Sequence, residues 1–295
     1  MALNPLAEVF GFRYDDMSEE AIRYRKHRLC PFHNKVPNCT KDKVRNPLGV
    51  CSINNNGFPV IICPIRFREN WTIINDAAEF FFPEDTTWTS LVEVRINDRH
   101  GKSAGNIDIV LVAYDKSRTV IDYGALEIQA VYISGNLRDI YETYIEDVEN
   151  YLSTLWEGKA PRPDYLSSSR KRLAPQLIFK GGILKSWGRK TAVALNSGFY
   201  KTLPELPQVS KEKADIAWLI YDLVFDETTN RYKLKLEKKL YTEFKSALSE
   251  ITDPKAGSES DFIKTLQDKL KRIGAPENTT INEIQSVEDV VVDED

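Results

Sequence analysis

Apolar residues along the chain follow two rhythms. Near the middle, Val92, Val94 and Ile96 alternate with Glu93 and Arg95, the period-two pattern of a strand with one buried face. Ile107 to Ala113 is apolar throughout except at Asp108, and Gly124 to Val131 alternates again. Thr191 to Leu195 and Asp215 to Phe225 read as buried strands. Tyr232, Leu234 and Leu236 form a return strand across a turn at Asp226 to Asn230. Elsewhere the period is helical. Ser18 to Arg28 is a short helix with Ser18 as N-cap. Glu69 to Phe82 is a second, stopped by Pro83. Leu137 to Trp156 is a long helix with an acidic face, and Phe262, Leu266 and Leu270 mark one face of a C-terminal helix. Strands flanked by helices predict a mixed α/β (α+β) fold.

Two stretches carry neither rhythm. Cys30 to Cys63 is rich in Pro and Gly, and Gly158 to Arg172 is a Pro, Ser and basic loop. The predicted organisation is an N-terminal helix and cysteine region over 1–70, a core over 71–274 and an acidic tail over 275–295. The chain has 295 residues, 42% of them hydrophobic, enough for a sizeable core. No apolar run approaches the length of a membrane span. The start lacks the basic-then-apolar layout of a signal peptide. A cytoplasmic protein without a membrane partner is expected.

The net charge of −4 hides a strong asymmetry. Ile22 to Arg45 holds eight Lys or Arg and one acid. Arg162 to Lys201 holds nine and one. The last 21 residues hold seven acids and no base. The basic segments read either as a phosphate-facing surface or as solvated faces. On the first reading Arg170, Lys171, Arg172, Lys180, Lys185, Arg189 and Lys190 contact DNA, with Arg189 and Lys190 held most rigidly at the start of a strand.

The four cysteines, Cys30, Cys39, Cys51 and Cys63, fall within 34 residues. Clustered thiols in a reducing compartment point away from disulfides. A Pro-rich segment without a core of its own can be closed by a tetrahedral metal on four thiolates, zinc or iron. The spacing C-x8-C-x11-C-x11-C lacks the C-x2-C knuckle, so unlinked structural thiols are the alternative. His27 and His33 lie close by and read as surface residues.

A second constellation is acidic. Asp108 interrupts an apolar strand, and Glu127-Ile128-Gln129 follows on another. Glu127 and Gln129 point the same way, roughly 6–7 Å apart. Carboxylate oxygens are the hard ligands that Mg²⁺ prefers, completed by waters and phosphate. Such an ion polarises a scissile phosphate and acidifies an attacking water. Glu93 on the preceding strand would give three consecutive strands one carboxylate each. The alternative is a set of charged positions on a solvated face. Gly101-Lys102-Ser103 does not complete a phosphate-binding loop, because position 96 is Ile. His100 sits in a predicted turn rather than beside a nucleophile.

Taken together, Cys30-Pro31-Phe32, Cys39-Thr40-Lys41, Pro47-Leu48-Gly49-Val50-Cys51-Ser52 and Cys63-Pro64-Ile65-Arg66-Phe67, followed by Glu93, Asp108 and Glu127-Ile128-Gln129, resemble the NotI-like type II restriction endonucleases. Phe10-Gly11 near the start also fits. The resemblance is specific over residues 9 to 131 and looser beyond. It implies a restriction-endonuclease-like PD-(D/E)xK core, a homodimer, and Mg²⁺-dependent cleavage of double-stranded DNA at a short site. It also implies one structural iron per chain on Cys30, Cys39, Cys51 and Cys63. In that reading Asp108 and Glu127 hold Mg²⁺ and the Ile128 carbonyl adds a ligand. Gln129 orients water in the usual place of a Lys, and Glu93 assists. A cognate DNA methyltransferase is a further expected partner. Two other readings stand beside this one: a nuclease subunit of a multi-protein anti-phage defence or repair system, and a metal-stabilised DNA-binding protein without catalysis.

Overall fold

Six strands with alternating or continuous apolar residues assemble into one sheet. In the computed structural model, which describes residues 4–33, 37–43, 45–154, 160–253 and 256–273, the chain divides into two compact units, 1–252 and 253–295. The first unit begins with a four-stranded antiparallel sheet built from β1 (Leu6–Val9), β2 (Phe12–Arg13), β3 (Val50–Asn55) and β4 (Phe58–Ile61), in the order β2-β1-β3-β4. Helix α1 (Glu19–His27) follows β2, and the Ser18 side chain caps it by accepting the Ala21 N–H. Two strands of this sheet thus lie inside the Pro- and Gly-rich stretch that lacked a visible rhythm. Their short apolar runs, Val50 to Ile53 and Val60 to Ile62, are too brief to give a period.

The large sheet contains β5 (Trp88–Asn97), β6 (Ser103–Tyr114), β7 (Val120–Gln129), β8 (Thr191–Asn196), β9 (Ile216–Asp226) and β10 (Arg231–Thr242) in chain order across the sheet. β5, β6 and β7 are antiparallel neighbours; β7, β8 and β9 run parallel; β10 closes the edge antiparallel to β9. Parallel neighbours need a crossover, and between β7 and β8 the crossover carries α3 (Leu137–Glu146) and a longer helix, α4, over 165–186.

Each face of this sheet has its own core. Helix α2 (Thr72–Phe81) buries Ile73, Ile74, Ala77 and Phe81 against Ile109 and Leu111 of β6, Leu126 and Ile128 of β7, and Ala192 and Ala194 of β8. On the opposite face, Leu173 and Leu177 of α4 meet Val193, Leu195 and Trp218, together with α5 (Phe244–Thr252). Nearer the β5 edge, Leu184 packs with Ile96, Ile107, Val110 and Ala125. α2 comes so close to β7 that a Cβ at Gly124 would lie 2.4 Å from the Phe81 ring.

Three boundaries differ from the expected ones. The helix from Leu137 stops at Glu146, because Asp147 adopts extended backbone and caps a separate turn, Val148–Ser153, by accepting the Asn150 N–H; Trp156 lies outside the described residues. The helix expected from Glu69 begins at Thr72, after a kinked helical stretch Pro64–Trp71. The predicted loop reaching Arg172 is instead helical from Tyr165 onward, with Asp164 as its N-cap. In the second unit, α6 (Glu259–Ile273) carries the predicted stripe of Phe262, Leu266 and Leu270. The acidic tail over 275–295 lies outside the described residues. Among the described residues, no helix is long and apolar enough to cross a membrane.

Arg66 joins the small sheet to the large one. It is fully buried. Its guanidinium donates to both Glu8 oxygens at 3.0 Å, to Glu69 at 2.8 Å and to the Tyr232 carbonyl of β10 at 2.9 Å. It also lies over the Phe32 ring at 4.3 Å, and Ser52 donates to Glu8 at 2.8 Å. A planar five-donor group suits such a convergence. Replacing it with Met strands the buried Glu8 charge. The expected cost of Arg66→Met is about 3–5 kcal/mol, read as a fall in the urea midpoint at unchanged slope.

Candidate active site

The site forms where the hydrogen-bond ladder between β6 and β7 stops. The two strands pair from Tyr114 opposite Val120 to Ile109 opposite Leu126. Beyond that point the Ile128 N–H donates to Asp108 Oδ2 at 2.8 Å. A side chain thus replaces a backbone acceptor, and the Asp108 carboxylate is held beside β7. Leu126 and Ile128 face α2, so Glu127 and Gln129 point to the opposite side, as the alternation predicts, and there they meet α4.

Glu127 is buried, with Oε2 at 2.7 Å from the Lys180 ammonium. Its other oxygen, Oε1, is buried and has no hydrogen-bond partner among the described residues. Burial raises the Glu127 pKa most, the adjoining Asp108 raises it further, and Lys180 pulls it back; the result is about 8. Two carboxyl groups pressed together, one with an unsatisfied buried oxygen, have the donor chemistry that suits a divalent cation.

Helix α4 supplies the opposite wall. Lys180 also donates to the Asn106 carbonyl at 2.8 Å, and the Gln129 side-chain amide donates to Gln176. Residues four apart on α4 therefore meet residues two apart on β7, because both spacings advance about 6–7 Å. Lys180 lies in a widened π turn, Leu177–Gly181, a feature often found at functional positions.

Glu93 has the remaining strand position. It falls between the pairs Val92–Ile109 and Val94–Ile107, level with Asp108. It is exposed and has a left-handed φ of 55°, which costs a non-glycine residue roughly 1–2 kcal/mol. The three carboxylates thus share one level of the sheet, but only Asp108 and Glu127 adjoin. His100 lies in the turn expected for it, its N–H bonded to Asp98.

The basic residues separate into two groups. Arg170 and Lys171 are exposed in the first half of α4, and Arg172 lies over Tyr132 at 4.8 Å. This half is tied to the end of β7, since the Tyr132 N–H donates to Ser168 at 2.8 Å. Lys185 pairs with Asp215 at 2.7 Å. Arg189 pairs with Asp122 and covers Tyr123. Lys190 donates to the Phe80 carbonyl at 3.2 Å and lies over that ring. These three face protein partners at the other end of the helix. Lys180, grouped by sequence with the surface charges, is buried in the carboxylate site instead. The signal for it was its place four residues after Gln176, which became meaningful only once that stretch was known to be helical.

The four cysteines converge near the small sheet. Cys39, Cys51 and Cys63 are buried and Cys30 is partly so. Every pair among them lies within electrostatic reach. Burial pushes the Cys30 thiol up to about 12, while the Phe32 and His33 N–H groups donate to it and pull it down; Cys63 and Cys39 raise it further. Lys41 is half-buried beside them and donates to the Val50 and Ile62 carbonyls at 2.9 and 3.2 Å. Four thiols, amide donors and a half-buried lysine fit a tetrathiolate metal in charge and donor type. Among the described residues, no three Cys, His, Asp or Glu side chains are closed up to ligand geometry.

A family model described as restriction endonuclease NotI matches residues 9–234. The chain belongs to the NotI restriction endonuclease family. No curated protein matches it. The match spans both the cysteine region and the large sheet through the start of β10, and it makes the protein a site-specific deoxyribonuclease. Its extent runs well past residue 131, where the recognisable motifs end.

Asp108 contributes to the raised pKa of Glu127, so removing that charge must lower it. In Asp108→Asn the Glu127 midpoint is expected to fall below about 8, followed by carbon-detected NMR titration of the side-chain carboxyl; an unchanged midpoint contradicts the contact.

Proposed function

We propose that this NotI-family nuclease hydrolyses double-stranded DNA with Mg²⁺ at Asp108 and Glu127, on a PD-(D/E)xK-type core. The observation that carries the reading is the orphaned Glu127 Oε1 next to a second carboxylate. A cation gives that oxygen a partner and relieves the repulsion. Mg²⁺ bound there supplies Lewis acidity and a water of lowered pKa. Asp108 and Glu127 hold it, and the Ile128 carbonyl is a third oxygen donor. Gln129 cannot take a proton at neutral pH. Its amide orients the attacking water. Glu93, level with Asp108 at the exposed edge, holds outer water molecules of the same centre. Hydrolysis forms a P–O bond from the water oxygen, whose proton passes to solvent water, and breaks the P–O bond to a sugar oxygen, which takes up a proton from solvent water as it leaves.

The exposed Arg170 and Lys171, with Arg172, contact phosphates near the end of β7, and such contacts orient the duplex. Lys185, Arg189 and Lys190 serve DNA less directly, because each has a protein partner. A two-fold dimer places two such centres on opposite strands of a palindromic site. Cys30, Cys39, Cys51 and Cys63 bind one metal, iron on the strength of the family resemblance, which fixes the loop beside the small sheet.

Asp108→Asn and Glu127→Gln are each expected to lower cleavage about 100-fold or more while retaining DNA binding. The assay is plasmid and phage DNA digestion by the purified chain with Mg²⁺, with fragment ends sequenced. Discrete fragments from the chain alone support an autonomous restriction enzyme. Cutting only with added partner proteins supports a subunit of a larger system. Near-normal cutting by either variant overturns the site. Cys51→Ser is expected to lose the metal, about one iron per chain by elemental analysis, and to lower soluble yield. Metal-free wild-type protein of undiminished stability overturns the metal reading.

A further inference from the structure

A lysine at the third position of a strand carboxylate motif would bring a positive charge to this centre, and position 129 is Gln. The charge is nevertheless there. Lys180 reaches the same space from α4, with its ammonium 2.7 Å from Glu127 Oε2 and 2.8 Å from the Asn106 carbonyl. It is about 5% exposed. Four residues earlier on the same helix, Gln176 accepts from the side-chain amide of Gln129. The helix therefore holds both polar residues of the strand motif, one with each of two side chains.

The burial of this lysine argues for a role beyond neutralisation. An ion pair of this depth seldom adds net stability over an apolar pair of the same shape. Ordinary packing is available at the same wall, since Leu177 and Leu184 of α4 are buried in apolar clusters. The widened turn Leu177–Gly181 carries Lys180. Its last residue, Gly181, lies so close to Phe244 that a Cβ there would come within 2.9 Å of the ring. Phe244 of α5 thus backs the turn that presents the ammonium.

We infer that Lys180 is the cationic residue of the nuclease centre, delivered by a helix in place of the strand lysine, and that it engages the phosphate at the scissile bond. The inference rests on the proposed placement of that centre at Asp108 and Glu127. In the free protein the ammonium and an added divalent cation compete for Glu127. With DNA present, the phosphate offers Lys180 an anionic partner within the same pocket. There the ammonium stabilises charge that grows on the phosphate oxygens as the water bond forms. Lys180 transfers no proton in this scheme; its contribution is charge and position.

The experiment uses the full chain and the variants Lys180→Met, Lys180→Arg and Lys180→Met with Gln129→Lys. Single-turnover cleavage is measured with Mg²⁺, and Ca²⁺ binding to the DNA-free protein is measured by calorimetry. Lys180→Met is expected to cut about 100-fold more slowly and to bind Ca²⁺ about fivefold more tightly, because a competing charge is gone. Lys180→Arg keeps the charge and is expected to stay within about tenfold of wild type in cutting. Adding Gln129→Lys to Lys180→Met is expected to restore cutting about tenfold. A purely structural lysine would weaken both cutting and Ca²⁺ binding, with no rescue from the strand, and that result overturns the inference. Lys180→Met cutting like wild type overturns it also, while leaving the nuclease centre in place. If Lys180→Met does not fold, the arginine variant decides: cutting at the level of Asp108→Asn overturns the inference. Wild-type protein that cuts no DNA, alone or with partners, brings down the nuclease reading itself and this inference with it.

Discussion

The Ile128 N–H needs an acceptor, and the way it finds one organises the site. β7 is antiparallel to β6 on one side and parallel to β8 on the other. Where β6 ceases to pair, a buried backbone donor would be left over, at a cost comparable to a lost hydrogen bond. Asp108 takes it at 2.8 Å. That one bond holds a carboxylate beside Glu127, whose pKa rises through burial first and through Asp108 next. Lys180 is drawn in as the counter-charge. The adjoining carboxyl groups, the buried lysine beside them and the unsatisfied Glu127 oxygen all follow from an acceptor supplied by a side chain instead of a strand.

Such a site works only on a rigid frame. Charges in a low-dielectric setting interact strongly, so small displacements matter. α2 lies against β7 over Gly124, where no Cβ would fit below the Phe81 ring. The opposite face is closed by α4, which is tied to the last residues of β7 through Gln176 and Lys180 and to Tyr132, just past the strand, through Ser168. The small N-terminal sheet is joined to β10 by Arg66. The Val131 N–H donates to the Ile61 carbonyl at 3.0 Å, linking the chain just beyond the site to the sheet next to the cysteines. The cysteine region and the carboxylate site thus belong to one unit mechanically as well as by family.

Charge on this molecule sorts by partner rather than by count. Of the basic residues between Arg162 and Lys201, some are committed to Asp122, Asp215 or Phe80, one to Glu127, and Arg170 and Lys171 face solvent. A dense basic stretch in the sequence therefore overstates the surface available to DNA. The exposed positions, Arg170 and Lys171, lie in the half of α4 nearest the end of β7.

Local patterns were enough to determine much of this protein. Alternation placed β5 and β7, and put Glu127 and Gln129 on the face opposite Leu126 and Ile128. The apolar run broken at Asp108 marked the one strand position where a carboxylate needed explaining. Ser18 capped α1 as its chemistry required. These are effects of neighbours within a few residues, and period and capping record them. Tertiary structure alone decided the rest. The helix at Tyr165 was hidden because its Ser-, Arg- and Lys-rich first turns are polar, and its order comes from packing of Leu173 and Leu177 on β8 and β9. Lys180 lies 53 residues from Glu127, so no local period could connect them. Whether a lysine faces solvent or a carboxylate is settled by what the fold brings opposite it, because the energy of a charge depends on its distance to other charges and to water, and those distances exist only once the sheet and helix have met.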